Sequence, residues 1–302
     1  MSIYATVRSS DGHLVTDLTK DDFEIKDNGT LREVTNFSRE IVPITVVMLL
    51  DMSGSQETGV TWLRKGAAAF VNRMLAADRA RIGTFGVEIA LSPRLTSDQV
   101  YLHRVLREEI WPGGNTPLWE AMDLAMSSIA SEQGRRVILA LTDGFDSVPR
   151  PLAASAPLNI NDTRTTTATK ALQGAQGVFS DPAASGKYGV VRSRAEREGF
   201  MVYAVGHQPA ESRGSGLTTQ ASALSSDIRT LAVDSGGGFR TPADADNAAT
   251  ALSDVADELH HQYLIGFSST ALDGKVHRLE IKAKRGGMTV QARKSYLAVA
   301  AR

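Results

Sequence analysis

The strongest structural signal in this chain is the stretch Ile44-Thr45-Val46-Val47-Met48-Leu49-Leu50-Asp51-Met52-Ser53-Gly54-Ser55. Its first seven residues form a largely apolar run rich in β-branched side chains, which is typical of a parallel strand buried on both faces. The carboxylate of Asp51 and the hydroxyls of Ser53 and Ser55 follow directly. Ligands of open α/β sheets bind at the carboxyl ends of the strands. Because hard divalent cations prefer oxygen ligands of these kinds, the stretch predicts a metal site.

Two later segments offer further oxygen ligands at comparable positions. Thr116 precedes Pro117, a residue suited to the first turn of a helix. Asp143 follows a predicted strand at 136–141, and Gly144 allows the chain to turn sharply after it. We therefore expect both side chains to join those of the first loop. The predicted metal ligands are Asp51, Ser53, Ser55, Thr116 and Asp143, and the predicted rim of the ligand site is Gly114, Asn115 and Asp146.

A plainer interpretation of the first loop is helix capping. Ser and Asp between a strand and a helix commonly satisfy the first helix amides, and Asp51 to Ser55 alone would favour that role. The coincidence of Thr116 and Asp143 at the ends of later elements favours metal binding instead. A site that keeps these residues and binds no metal stays open as an alternative.

The order Asp-x-Ser-x-Ser, then Thr, then Asp resembles the metal-ion-dependent adhesion site of the von Willebrand factor type A (vWA) domain. The resemblance covers about residues 42–262. It implies a doubly wound α/β fold that binds Mg²⁺ or Mn²⁺ at the top of its sheet, with Asp143 bound through water. It also implies that ligand binding shifts the last helix, here about 248–259.

A narrower likeness extends over nearly the whole chain. Residues 15–25, 263–267 and 293–296 look like segments of bacterial "VWFA-related" proteins. Proteins of that group look exported, so the likeness implies a place outside the cytoplasm. Residues 1–4 lack the pattern of a signal peptide, and we expect that a leader segment preceded them.

Strands and helices alternate along residues 43–262, which predicts a doubly wound, mostly parallel sheet flanked by helices, as in Rossmann-like folds. Residues 1–42 and 263–302 are β-rich, and we expect them to join in one small sandwich-like domain. The Ala-, Ser- and Thr-rich part at about 149–189 is predicted to be a surface insertion.

Helical spacing predicts which faces turn inward, and we also expect a strand at 81–90 and a short edge strand at 91–95. His260 is expected to cap or pack the last helix. The predicted inward residues include Leu63, Ala67, Phe70, Met74, Leu102, Val105, Leu106, Leu252, Val255 and Leu259.

Composition excludes several classes of function. A formal net charge of −1 over 302 residues argues against a general nucleic-acid or anionic-membrane binder. The absence of cysteine excludes disulfides, thiol catalysis and thiolate metal sites. No apolar run reaches the length of a membrane span.

The charges of the predicted ligands indicate what the site does. Two carboxylates only just neutralise a divalent ion, so a partner's Asp or Glu can complete its coordination shell. The small octahedral shell of Mg²⁺ suits this arrangement better than the larger shell of Ca²⁺. We therefore predict a non-catalytic, metal-dependent protein-binding module.

Two alternatives belong to other classes of function. A Mg²⁺-dependent phosphohydrolase could use Asp51 as a nucleophile, but Ser53 stands where a second acid would be expected, and no P-loop or serine elbow is present. A structural or assembly protein could use the metal only to stabilise a loop, with self-association through the β-rich ends.

Overall fold

The structure is a computed structural model that describes residues 1–52, 57–86, 88–108, 117–142, 187–206, 218–269 and 272–299. Within these ranges the helices are Glu57–Arg73 (α1), Gln99–Glu108 (α2), Leu118–Ser128 (α3), Lys187–Glu198 (α4), Thr218–Asp234 (α5) and Ala245–His260 (α6). The strands are Ser2–Ser9 (β1), Phe23–Asp27 (β2), Thr30–Arg32 (β3), Val34–Ser38 (β4), Ile44–Asp51 (β5), Arg79–Phe85 (β6), Ile89–Leu91 (β7), Arg135–Leu141 (β8), Met201–Val205 (β9), Phe239–Arg240 (β10), Tyr263–Phe267 (β11), Val276–Ala283 (β12), Met288–Ala292 (β13) and Ser295–Leu297 (β14).

A six-stranded central sheet has the order β10-β9-β8-β5-β6-β7. Its neighbouring strands run parallel except for β6 and β7, which are antiparallel. Every residue of β5 is buried, as expected for a strand covered on both faces. Helices α1, α2 and α6 pack on one face, and α3, α4 and α5 pack on the other. The predicted fold class, a mostly parallel sheet flanked by helices, is confirmed.

The inward helix faces are those that the periodicity predicts. Helix α6 begins after Asp244, whose side chain accepts hydrogen bonds from the amides of Asp246 and Asn247. A cap of this kind stabilises a helix by about 1 kcal/mol. Among the described residues, no helix combines the length and the apolar character needed to cross a membrane. The buried helix residues include Leu63, Ala67, Phe70, Leu102, Val105, Leu106, Leu252, Val255 and Leu259, and Met74, directly after the end of α1, is buried as well.

The predicted bounds of the strands at 81–90 and 91–95 are wrong, although a short strand, β7, does form the edge of the sheet. Strand β6 ends at Phe85, and β7 turns back to pair with it, with Ile89 opposite Phe85. Apolar residues recur along both β6 and β7, so the sequence pattern does not predict a turn at Gly86. Pro93 lies beyond the end of β7, because proline has no amide hydrogen for strand pairing.

The chain ends form two four-stranded antiparallel sheets. The first terminal sheet has the order β13-β1-β11-β4, and the second has the order β14-β12-β2-β3. Each contains strands from both ends of the chain, and the two share one apolar core that includes Ile3, Phe23, Tyr263 and Leu279. Strand β1 lies between two strands from the other end of the chain. That these sheets make up a separate domain of residues 1–42 and 263–302 stays a prediction.

The predicted insertion at 149–189 falls almost wholly outside the described residues, which resume at 187. Its last three residues belong to α4, which begins at Lys187 rather than near Val190. The surface position of the remainder therefore stays a prediction.

His260, at the end of α6, packs inward as expected. Its Nε2 atom lies 2.8 Å from Oδ2 of buried Asp78. Asp78 also accepts hydrogen bonds from the amides of Ile44 and Leu75. Burial raises the pKa of Asp78, but the hydrogen bonds from His260 and the two amides outweigh it, so that this pKa lies below its ordinary value. The pair ties the end of α6 to the start of β5.

A second buried imidazole lies in the second terminal sheet. Nδ1 of His277 is 2.8 Å from Oδ1 of Asp27, and Nε2 is 3.2 Å from Oδ1 of Asp273. The hydrogen bond with Asp27 raises the pKa of His277, burial opposes it, and the charges of both carboxylates add to the rise. The Tyr296 hydroxyl also faces Nδ1, at 3.4 Å.

We expect the pair of His277 with Asp27 to make the protein more stable at pH 6 than at pH 9. Since the folded-state pKa of His277 is raised above 6.5, its contribution is fully present below about pH 6.5 and is lost as the pH rises through the folded-state pKa. Urea unfolding of the parent protein and of His277→Gln at both pH values measures the effect. An equal pH dependence in the variant would contradict this assignment.

Candidate functional site

Asp51, the last residue of β5, lies at the carboxyl end of the central sheet. The neighbouring strand β8 runs parallel and places Leu141 opposite Leu50, so Thr142 lies next to Asp51. The Thr142 hydroxyl donates a hydrogen bond of 2.6 Å to Oδ2 of Asp51. The two residues are only 2% and 4% exposed, respectively. The hydrogen bond from Thr142 therefore holds the carboxylate of Asp51 in a defined orientation at this edge of the sheet.

Backbone hydrogen bonds continue past the strand ends at this edge. The amide of Met52 donates to the carbonyl of Phe85 at 2.8 Å, and the amide of Thr142 donates to the carbonyl of Val205 at 3.1 Å. Gly206 continues the pattern with a 2.8 Å bond to the carbonyl of Arg240. The sheet is therefore regular up to the residues that carry the candidate ligands, and Asp51 stands on a rigid element.

Most of the predicted site lies outside the described residues, whose ranges stop on either side of the three loops. Only Asp51 of the five predicted ligands falls inside them. The structure does describe how each loop is attached: the first joins β5 to α1, the second precedes α3, and the third follows β8. The predicted residues outside the description are Ser53, Ser55, Gly114, Asn115, Thr116, Asp143 and Asp146.

The second loop is placed by the helix that follows it. Helix α3 packs on β5, β6 and β8, and it ends at Ser128 shortly before β8 begins at Arg135. A helix that leads into a parallel strand runs back along the sheet, so its first residue lies near the carboxyl edge. Leu118, the first residue of α3, is fully buried against that layer. The start of α3, two residues after Thr116 in the chain, therefore lies near the same edge as Asp51.

The predicted donor set fits a hard divalent cation such as Mg²⁺ or Mn²⁺ rather than a metal that prefers thiolate or imidazole ligands. Asp51 supplies a carboxylate, and the other predicted ligands supply three hydroxyls and one further carboxylate. All are oxygen ligands of the kind that Mg²⁺ takes, usually together with water. Among the described residues, no group of three or more His, Asp or Glu side chains is placed to hold a metal.

Thr142 is a functional candidate that the sequence analysis missed. It stands beside the predicted ligand Asp143, and its hydrogen bond to Asp51 indicates a role in orienting that carboxylate. The available signal was a hydroxyl residue at the end of a buried strand, next to a strand that ends in a carboxylate. Partners of this kind orient metal ligands in many proteins.

A second polar cluster surrounds Glu258 of α6, whose side chain is fully buried. It lies at the contact between the central sheet and the first terminal sheet. Two guanidinium groups and three neutral donors satisfy the carboxylate. They are Arg8 at 2.7 Å, Arg240 at 3.0 Å, Tyr203 at 2.7 Å, Gln291 at 2.8 Å and Thr6 at 3.1 Å.

The donors to Glu258 come from four strands. Thr6 and Arg8 belong to β1, Tyr203 to β9, Arg240 to β10 and Gln291 to β13. Burial, followed by the charge of Glu258 and the hydrogen bond to it, raises the pKa of Tyr203 well above its ordinary value, so the phenol stays a donor. The sequence carried a signal for this cluster, because Glu258 follows Val255 at helical spacing on the inward face of α6.

The comparisons with known proteins support the fold. No family model and no curated protein matches this chain. A solved structure of the pilus adhesin SpaC from Lactobacillus rhamnosus GG, in an open conformation, superposes with a TM-score of 0.51 at 12% sequence identity. That match covers 91% of this chain and 47% of the adhesin, so the chain spans about half the length of that structure.

Two further solved structures are similar with slightly lower scores. The vWF domain of the type V pili tip protein Mfa5 from Porphyromonas gingivalis has a TM-score of 0.49 at 16% identity, covering 72% of this chain and 95% of that one. The conserved hypothetical protein BatB from Bacteroides thetaiotaomicron has a TM-score of 0.47 at 16% identity, covering 72% and 98%. The likeness to SpaC extends to the overall fold and gives no information on ligands.

Proposed function

We propose that the chain is a vWA-type, non-catalytic module that binds a protein partner in a divalent-metal-dependent manner. The observation that carries the proposal is the buried carboxylate of Asp51 at the carboxyl edge of the central sheet, oriented by Thr142. That edge is where ligands of open α/β sheets bind. The five-residue pattern in the sequence supplies the other expected ligands.

In this proposal Asp51, Ser53, Ser55, Thr116 and Asp143 hold Mg²⁺ or Mn²⁺, in preference to Ca²⁺. A bound divalent cation supplies positive charge and an open coordination position for a partner's Asp or Glu. The five ligands contribute only two negative charges, which the divalent cation neutralises, so the metal still attracts that acidic group. Thr142 keeps Oδ2 of Asp51 in place by hydrogen bonding, and Gly114, Asn115 and Asp146 form the rim.

We expect partner capture to depend on the metal. The chain is immobilised and exposed to an envelope fraction of its source organism in buffer with MgCl₂, and then in the same buffer with EDTA. Bound proteins should elute in EDTA and rebind when Mg²⁺ is restored. Asp254→Ala, which removes an exposed carboxylate from α6, is the matched control and should behave as the parent does.

Two results would contradict the proposal. Capture that proceeds undiminished in EDTA would exclude metal dependence. Mg²⁺-dependent hydrolysis of p-nitrophenyl phosphate, lost in Asp51→Asn, would exclude the non-catalytic assignment. A place outside the cytoplasm also belongs to the proposal and rests on the sequence resemblance alone. Light scattering tests separately whether the chain associates with itself.

A further inference from the structure

A cleft of about 470 Å³ lies between β12 and β13. These strands follow each other in the chain and are separated only by residues 284–287, yet they belong to different sheets and do not pair. The first terminal sheet ends at β13. Strand β14 pairs with only the first three residues of β12, Val276–Arg278. Two strand edges therefore face one cleft.

Hydrogen bonding shows which peptide groups of β12 face the cleft. The amide of Leu279 donates to the carbonyl of Lys294 on the β14 side, and the amide of Lys284 donates to the carbonyl of Asp22 on the β2 side. Since successive peptide groups of a strand point to opposite sides, those of Ile281 and Ala283 point away from β2. Among the described residues, neither has a backbone partner on that side.

The alternation of peptide groups also shows which side of β13 is left unpaired. The carbonyl of Val7 accepts from Val15 on the side of β1 away from β13, so Thr6 and Arg8 exchange hydrogen bonds with β13. Their partners in the register are Gln291 and Thr289. The alternate peptide groups, which belong to Met288, Val290 and Ala292, therefore point away from β1, and Val290 and Ala292 line the cleft. Within the described part of the chain, no strand pairs with this edge.

The walls of the cleft divide into an apolar and a basic side. The apolar lining residues Leu279, Ile281, Val290 and Ala292 belong to or pack against the core shared by the terminal sheets. The charged lining residues are Arg8, Arg278, Glu280, Lys282, Arg293 and Lys294.

Among the described residues, Lys282 and Arg293 form no ion pair, although the charge of Glu196 acts on Arg293. Arg8, Arg278 and Lys294 pair with carboxylates. No carboxylate of the described residues lies within 4.0 Å of Lys282 or of the Arg293 guanidinium, which donates only to the carbonyls of Glu196 and Ser295. The cleft is therefore locally positive in a chain whose net charge is −1.

We infer that this cleft binds an extended, acidic peptide segment of a partner protein, which adds as a strand to the free edge of β13. An unpaired strand edge is a template for such a segment, and main-chain hydrogen bonds supply affinity. Alternate side chains of the segment face the apolar wall and the basic wall, which sets the preference for alternating apolar and acidic residues. The inference does not depend on the metal site.

The test uses a fluorescein-labelled peptide, Gly-(Glu-Val)₃-Gly, and measures fluorescence anisotropy with the full chain in EDTA. We expect saturable binding that weakens with salt. The same peptide with N-methylated valines, and a version with lysine in place of glutamate, should not bind. EDTA is present in every measurement. A failure of the peptide to bind would therefore leave the proposed metal-dependent function untouched.

Lys282→Glu should weaken binding of the peptide about tenfold, because it places a negative charge in the cleft that repels the glutamates of the peptide. Lys275→Glu is the matched control: Lys275 is also exposed and lies just before β12, outside the cleft. Absence of binding, or equal binding by the N-methylated peptide or by Lys282→Glu, would overturn the inference. A concentration-dependent dimer that Lys282→Glu dissociates would also overturn it, since a second copy of the chain would then occupy the cleft.

Discussion

Asp51→Asn should lose Mg²⁺ binding while it keeps the fold. Asparagine preserves the shape of the side chain and an oxygen that can accept the hydrogen bond from Thr142, but it removes the charge that the cation needs. A buried carboxylate is costly without a cation. We therefore expect the metal-free variant to unfold at the same temperature as the metal-free parent or at a higher one.

Isothermal titration with MgCl₂ and thermal melts with and without Mg²⁺ measure these two effects. The parent should melt at a higher temperature when Mg²⁺ is added, and Asp51→Asn should not respond. Thr142→Val, which removes the donor to Asp51 and keeps the side-chain shape, should weaken Mg²⁺ binding about 10–100-fold. Asp254→Ala should titrate as the parent does. A stabilisation of Asp51→Asn by Mg²⁺ equal to that of the parent would disprove the assignment of the site.

Glu258→Ala is expected to lower the free energy of unfolding by about 3–5 kcal/mol. The substitution leaves Arg8 and Arg240 without their buried counter-charge and leaves the hydroxyl of Tyr203 without its acceptor. The loss of one member of a buried charge cluster is more harmful than the loss of an exposed charge, because water does not replace the missing partner.

Urea unfolding, followed by circular dichroism, gives the size of this effect. Asp254→Ala removes a carboxylate from the exposed face of the same helix, and we expect a change within about 0.5 kcal/mol. Glu258→Gln keeps the shape of the side chain and part of its hydrogen bonding. Its free energy of unfolding should lie between those of Glu258→Ala and Asp254→Ala. If Glu258→Ala and Asp254→Ala unfold at equal urea concentrations, the cluster contributes nothing to the attachment of α6.

Several elements of the fold could be predicted because one physical cause dominates each of them. The apolar run of β5 is long enough to require burial on both faces, and the spacing of Leu252, Val255 and Leu259 leaves only one face of α6 for the core. The segment from Arg79 to Leu91 could not be predicted correctly. Apolar residues recur in both β6 and β7. The three residues between these strands give only a weak sequence signal for a turn.

The candidate site also contains some residues whose role could be predicted from the sequence and others whose role could not. The sequence places Asp51 at the end of a strand, and the structure agrees, because a buried parallel strand must end at the sheet edge. The role of Thr142 could not be predicted, since it depends on the register between β5 and β8. The Glu258 cluster collects donors from both ends of the chain, and local spacing contains no information about such distant partners.

The position of β1 has a consequence for the order of folding. This strand is synthesised well before its neighbours β11 and β13, which begin at Tyr263 and Met288. At translation rates of 5–20 residues per second, β1 waits roughly 13–50 s for its partners. The strands of the central sheet lie between Ile44 and Arg240, so that sheet can assemble during the delay. During that interval the nascent chain carries an uncovered apolar strand, with Ile3 and Val7 exposed, and β1 is then prone to aggregate.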